Sequence, residues 1–160
     1  MTSPTPGLQP GDAAPDFTLP RDGGGEISLS AQAPHRVVLY FYPKDDTSGC
    51  TIEAQDFTTL APSFDAAGTT VIGVSKDTVA SHDKFVKKHS LGVVLASDAD
   101  GAVCEEYGVW GEKQMYGKSY MGIERATFLI DGAGKILHIW RKVSAKGHAQ
   151  EVLDAVKAGA

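Results

Sequence analysis

Cysteine is scarce in this sequence: two in 160 residues, Cys50 and Cys104. So sparse a set cannot make the disulfide framework of a small secreted domain. Cys-X-X-Cys spacing is missing too, since Thr47 lies three residues before Cys50 and Glu53 three after it. Exchange at a local dithiol is therefore excluded. Long apolar runs are absent: VVLYFY at 37–42 is the best, far short of the roughly 18 residues that suggest a membrane span. The start, MTSPTPGLQPGDAAPDF, has neither the charged nor the apolar region of a secretory leader, so a cytoplasmic protein with no membrane partner is expected. Positive charge is in deficit, 15 Lys and Arg against 20 Asp and Glu for a net charge of -5. With the lysines scattered as well, nucleic acid is not an expected partner. The five histidines have no zinc-ligand spacing, and the glycines at Gly132 and Gly134 lack a dinucleotide fingerprint and precede a strand. Neither a metal nor a cofactor is expected.

What is present suits one α/β domain over 1–160, with 42% of residues hydrophobic and enough chain for a core that needs no disulfide. Residues 1–16 show no apolar period. An irregular lead-in over 1–10, disordered at its tip, is expected, with the fold starting near Phe17. FTL and EISL read as short strands around a glycine turn, and RVVLYFY as a central strand buried on both faces. After Pro43 and a polar loop comes a helix with Ile52, Phe57, Leu60 and Phe64 near one side. Then follow TTVIGVS as a strand, TVASHDKFVKKHS as a helix, VVLAS as a strand, and a short helix over DGAVCEEYGV closed by Gly108. RATFLID and ILHIW form a hairpin. A last helix begins at Ser144 and carries Ala149, Val152, Leu153 and Val156 at i, i+3, i+4, i+7. Alternating βαβ units with a terminal hairpin and helix describe a mixed central sheet with helices on both faces, compatible with a thioredoxin-like topology.

The stretch YPKDDTSGCT places Cys50 in the first turn of a helix. A thiol reacts as its thiolate, and unpaired backbone N–H groups with the positive end of the helix dipole favour that anion. Thr47 or Ser48 is the expected N-cap. A free cysteine is more often a small, inert core residue. Here the polar or small neighbours Asp45, Asp46, Thr47, Ser48 and Gly49 argue instead for a reactive, partly exposed thiol. A cysteine protease would need a histidine base, and His35, His82, His89, His138 and His148 fall in no local signature.

The spacing Pro43, Thr47, Cys50 resembles the active-site pattern of the peroxiredoxins. YFYPKDDTSGCTIEA, YGVWGEK and GIERATFLID together are similar to the subfamily called peroxiredoxin Q or bacterioferritin-comigratory protein, from about Gly11 to the last helix. The resemblance implies a thiol-dependent peroxidase acting on hydrogen peroxide and organic hydroperoxides. Cys50 would be its peroxidatic cysteine, Thr47 would hydrogen-bond the peroxide, Pro43 would shield the thiolate, and Arg125 would orient both. Donors aimed at charge that develops on the leaving oxygen stabilise the transition state above the ground state. Glu53, nearly one turn beyond Cys50, is a candidate to pair with Arg125 but is as apt to face water, and it stays outside the expected site.

The sequence departs from that subfamily in lacking the usual resolving cysteines: Gln55 stands five residues after Cys50, and the helix at 78–90 contains none. Cys104 is read as a packed residue beside Val103 and Tyr107, which leaves a one-cysteine cycle with a thioredoxin-like protein or a small thiol as reductant. The alternatives are a redox sensor that uses oxidation of Cys50, and a two-cysteine enzyme resolved by Cys104. Tyr107, Trp110, Tyr116 and Tyr120 are read as core and loop packing. A monomer or weak dimer is expected.

Overall fold

The computed structural model describes residues 8–159; of the expected lead-in, residues 1–7 lie outside the described residues. Regular pairing starts before Phe17. Gly11 N–H donates to Ile136 O, and Ala14 N–H to Gly134 O, both at 2.8 Å. This stretch is held by backbone pairing, with Leu8 and Ala14 packed against the core, and so shows no apolar period.

Strands β1 (Thr18–Pro20) and β2 (Glu26–Ser28) form the expected antiparallel hairpin. The central strand β3 (Arg36–Phe41) lies between β4 (Thr69–Ser75) and β8 (Ala126–Ile130), with β5 (Val94–Ser97) and β9 (Ile136–Trp140) at the edges. β3, β4 and β5 run parallel, while β8 and β9 are antiparallel to their neighbours. Mostly apolar runs in these strands follow from burial on both faces.

Alternation along β3 divides the core in two. Val37, Leu39 and Phe41 pack with Phe128, Tyr107 and Cys104, the last from α3 (Ala102–Glu106). Val38, Tyr40 and Tyr42 pack on the other face against α1 (Ser48–Ala66), α2 (Val79–His89) and α4 (His148–Lys157). Burial of each large apolar side chain contributes roughly 1.5–3 kcal/mol. Successive side chains of one strand thus hold both layers.

Three details differ from the expected pattern. Along α1 the buried stripe is Cys50, Glu53, Ala54, Phe57 and Phe64, whereas Ile52 is 42% exposed. α4 starts at His148 and not at Ser144, because Gly147 at φ 79° stands outside helical space, so residues 141–147 form a loop. A hairpin of β6 (Trp110–Met115) and β7 (Lys118–Ile123) turns through Tyr116 and Gly117, both at positive φ. It carries Tyr116 at 96% and Tyr120 at 43% exposure, so neither packs in the core; Tyr107 does, and Trp110 is half-buried. Among the described residues no helix is long and apolar enough to cross a membrane.

Candidate active site

β3 delivers the chain to the site. Tyr42 N–H still pairs with Val74 O, and Pro43, with no N–H to give, ends the ladder. Asp46 turns the loop at φ 60°, and Thr47 is the N-cap residue of α1, its carbonyl accepting from Thr51 N–H at 2.8 Å. The Thr47 side chain does not cap the helix. Its hydroxyl donates to Lys44 O at 2.8 Å, so its hydrogen is committed and its oxygen is left as an acceptor.

Cys50 is in the first turn, as expected, but only 1% exposed. The polar residues 45–49 that suggested an open thiol occupy the loop and the start of the helix. The Cys50 side chain begins the inward stripe continued by Ala54 and Phe57. Pro43 and Gly49 are half-buried around it, and Thr47 is exposed.

Arg125 enters from the residue before β8. Its carbonyl accepts from Val143 N–H at 2.9 Å, which ties its backbone to the loop before α4. The guanidinium spans two partners: Nη2 donates to Cys50 Sγ at 3.2 Å, and Nη1 donates to Glu53 Oε1 at 2.6 Å. The glycine at position 49 permits this approach, since a Cβ there would lie 3.1 Å from Nη2. Burial would lower the basicity of Arg125, but the charges of Glu53 and Cys50 outweigh it and raise its pKa. Glu53 is fully buried, and burial pushes its carboxyl up to about 7 against the pull of Arg125.

The structure therefore brings Cys50 and Arg125 together and adds Glu53, while Thr47 and Pro43 lie in the chain that leads into the helix of Cys50. The signal for Glu53 was its i+3 spacing from Cys50, which sets both on one helix face. Cys104 belongs to the opposite face of the sheet. It is fully buried, its N–H donates to Asp98 Oδ2 at 2.8 Å, and burial with the Asp98 carboxylate holds its thiol far above the usual range. A thiol so held resists forming the reactive anion. Among the described residues no group of three or more His, Cys, Asp or Glu side chains is placed to hold a metal ion.

A buried cysteine at a helix start, held by an arginine from the residue before β8 of a mixed sheet, is a site for a cysteine nucleophile, and the family below makes it that of a cysteine-based oxidoreductase. The chain belongs to the AhpC/TSA family, whose model matches residues 10–139. It is 50% identical over 145 residues to peroxiredoxin Bcp of Xanthomonas campestris, covering 91% of each chain. To peroxiredoxin Bcp of Bacillus subtilis it is 45% identical over 150 residues, covering 94% of this chain and 96% of the relative. Among solved structures, the X. campestris bacterioferritin comigratory protein, described with its alkyl peroxide reduction activity, superposes with a TM-score of 0.85 at 48% identity, covering 89% and 91% of the two chains. A peroxiredoxin Q of Xylella fastidiosa gives 0.90 at 40% identity, covering 95% and 97%. The fold is thioredoxin-like, and the protein is a thiol-dependent peroxidase.

Proposed function

We propose that Cys50 is the peroxidatic nucleophile, that Arg125, Thr47 and Pro43 form its substrate site, and that an outside thiol completes the cycle. The observation that carries this reading is the 3.2 Å contact from Arg125 Nη2 to Cys50 Sγ in a site closed to bulk water. A guanidinium so placed stabilises negative charge on sulfur, more strongly in a dry setting than in water.

A hydroperoxide entering past Pro43 finds the Thr47 oxygen as an acceptor for its O–H and Arg125 as a donor. Sulfur attacks the nearer oxygen, the S–O bond forms as the O–O bond breaks, and both electrons of that bond leave with the far oxygen. That oxygen takes a proton and departs as water or an alcohol, and Cys50 is left as a sulfenic acid. Two equivalents of thiol then return Cys50 to the thiol, giving one disulfide and one water. Hydrogen peroxide and organic hydroperoxides both fit this chemistry, because only the peroxide group is addressed.

The position of Cys104 on the far face of the sheet supports a one-cysteine cycle with a thioredoxin-like or small-thiol reductant. Two free thiols suit the cytoplasm, and a monomer or weak dimer of one domain is the form proposed. The test is turnover. With reductant supplied, the protein consumes many equivalents of peroxide, whereas a sensor stops after one; catalytic turnover that survives Cys50→Ser sinks the reading.

A further inference from the structure

Beneath the loop that carries Pro43 and Thr47 lies a second buried group of titratable side chains, which the chemistry at Cys50 leaves unused. His82 of α2 is fully buried and Asp45 is 7% exposed. His82 Nδ1 lies 2.7 Å from Asp45 Oδ2, and Nε2 lies 3.0 Å from Ala96 O in β5. A carbonyl can only accept, so Nε2 carries hydrogen. Asp45 also accepts from the Tyr42 hydroxyl at 2.5 Å and from the Ser81 hydroxyl at 2.8 Å. An ionised carboxylate with this set of donors needs a hydrogen on Nδ1 as well, which makes His82 an imidazolium. A proton on Asp45 Oδ2 would give the same count, one proton held across the 2.7 Å contact.

The same helix grips the next residue of the loop. Asp46 accepts from Lys88 Nζ at 2.7 Å and pairs with His89 Nε2 at 2.8 Å. From the loop after β4, Asp77 Oδ2 accepts from Asp45 N–H at 2.8 Å. The side-chain partners of Asp45 and Asp46 among the described residues thus come from α2, from Tyr42 and from Asp77.

We propose, on the reading of Cys50 given above, that His82 is a positioning residue for that nucleophile: as a cation bridging Asp45 to Ala96, it clamps residues 43–47 against α2 and β5. Loss of its proton leaves Asp45 without a cation, and the loop that bears Pro43 and Thr47 loosens. Charged or titratable groups facing His82 are Asp45 and Tyr42 from the loop after β3 and Asp77 from the loop after β4; Ser81 of its own helix and the carbonyl of Ala96 complete its surroundings. Burial would lower the pKa of His82, but the hydrogen bond and charge of Asp45, with Ala96 O and Asp77, outweigh it and raise the value. A raised value means that the clamp is whole at and below the ordinary histidine value and is lost as pH rises through the higher one.

The test uses His82→Gln, which can reach only one of the two partners, and Asp45→Asn, which keeps the shape of the carboxylate and removes the charge that holds the proton. Two quantities are followed against pH: the oxidation rate of Cys50 corrected for its thiolate fraction, and amide hydrogen exchange over residues 42–50 corrected for intrinsic rates. In the wild type, the corrected oxidation rate falls and loop exchange rises over one interval above the ordinary histidine value. Both variants oxidise about 10- to 100-fold more slowly at neutral pH, the range expected when a reacting group is displaced by about 1 Å, and both lose that pH-dependent interval. Asp45→Asn carries the test alone if His82→Gln does not fold. Wild-type rates and loop protection in Asp45→Asn, or a slower rate with the pH profile unchanged, would overturn the proposal. Loop exchange in Cys50→Ser separates the two readings: a pH-dependent loop there supports the clamp independently, and peroxide turnover by the same variant removes Cys50, not the clamp.

Discussion

Arg125 and Glu53 meet in a single 2.6 Å contact that uses one carboxylate oxygen and leaves the other, Glu53 Oε2, buried without a hydrogen-bond partner among the described residues. One guanidinium thus serves two acidic groups, Cys50 and Glu53, inside a dry site. Burial makes a charge on Glu53 costly and, against the pull of Arg125, holds its carboxyl up to about 7.

Stability should record that proton. Between its ordinary value of 4.5 and about 7, Glu53 is protonated when folded and ionised when unfolded. The folded state then binds more protons, so stability falls as pH rises through this interval. Glu53→Gln cannot show this loss. Urea unfolding of the two proteins at pH 4.5 and pH 8 should reveal a difference that moves in favour of the variant by on the order of 2–3 kcal/mol. A difference independent of pH would mean that Glu53 ionises as freely folded as unfolded.

Removing either polar partner of the peroxide should slow chemistry and spare the fold. Arg125→Met is expected to reduce the rate of Cys50 oxidation at least ~100-fold, as when a transition-state donor is deleted, and Thr47→Val to reduce it comparably by removing the acceptor that holds the peroxide O–H. Thr47→Ser keeps the hydroxyl on Lys44 O and should stay within about tenfold of the wild type. Stopped-flow oxidation at several peroxide concentrations checks this, and a wild-type rate in either deletion variant removes that residue from the mechanism.

Gly49→Ala should separate stability from activity. Alanine is favoured over glycine inside a helix by about 1 kcal/mol, yet its Cβ would sit 3.1 Å from Arg125 Nη2, and the guanidinium would have to shift slightly against the sulfur. The expected result is an unchanged or higher melting temperature with oxidation slowed about tenfold. Equal rates in the two proteins would show that Arg125 adjusts without loss.

Cys104 should not join Cys50. One equivalent of peroxide without reductant is expected to leave a chain heavier by one oxygen, and excess peroxide to carry Cys50 on to the sulfinic acid. Cys104→Ser should behave alike. Intact-mass analysis reads this directly, and loss of two hydrogens with an intrachain disulfide in the wild type would overturn the one-cysteine cycle.

The sheet was legible because buried strands are continuous apolar runs; β3, β4, β8 and β9 follow that pattern. The β6–β7 hairpin was not, since KSYMGI stands largely in solvent, neither strand carries much apolar alternation, and its Tyr116-Gly117 turn lacks the usual Asn-Gly or Asp-Gly signature. At the site, Cys50, Thr47 and Pro43 share one local stretch. The burial of Glu53 depends on Arg125, 72 positions away, and the role of His82 depends on a loop 37 residues earlier, so neither shows in local spacing.

The alternation of β3, which sends Cys50 and Cys104 to opposite layers, also bears on timing. A sulfenic acid with a thiol neighbour in the same chain lasts as long as one internal rearrangement, whatever the surroundings contain. On the one-cysteine cycle proposed above, its lifetime is instead a waiting time for collision and scales inversely with the concentration of outside thiol. When that thiol runs low, the oxidised form accumulates, and the fraction of chains carrying it becomes a running measure of reductant supply.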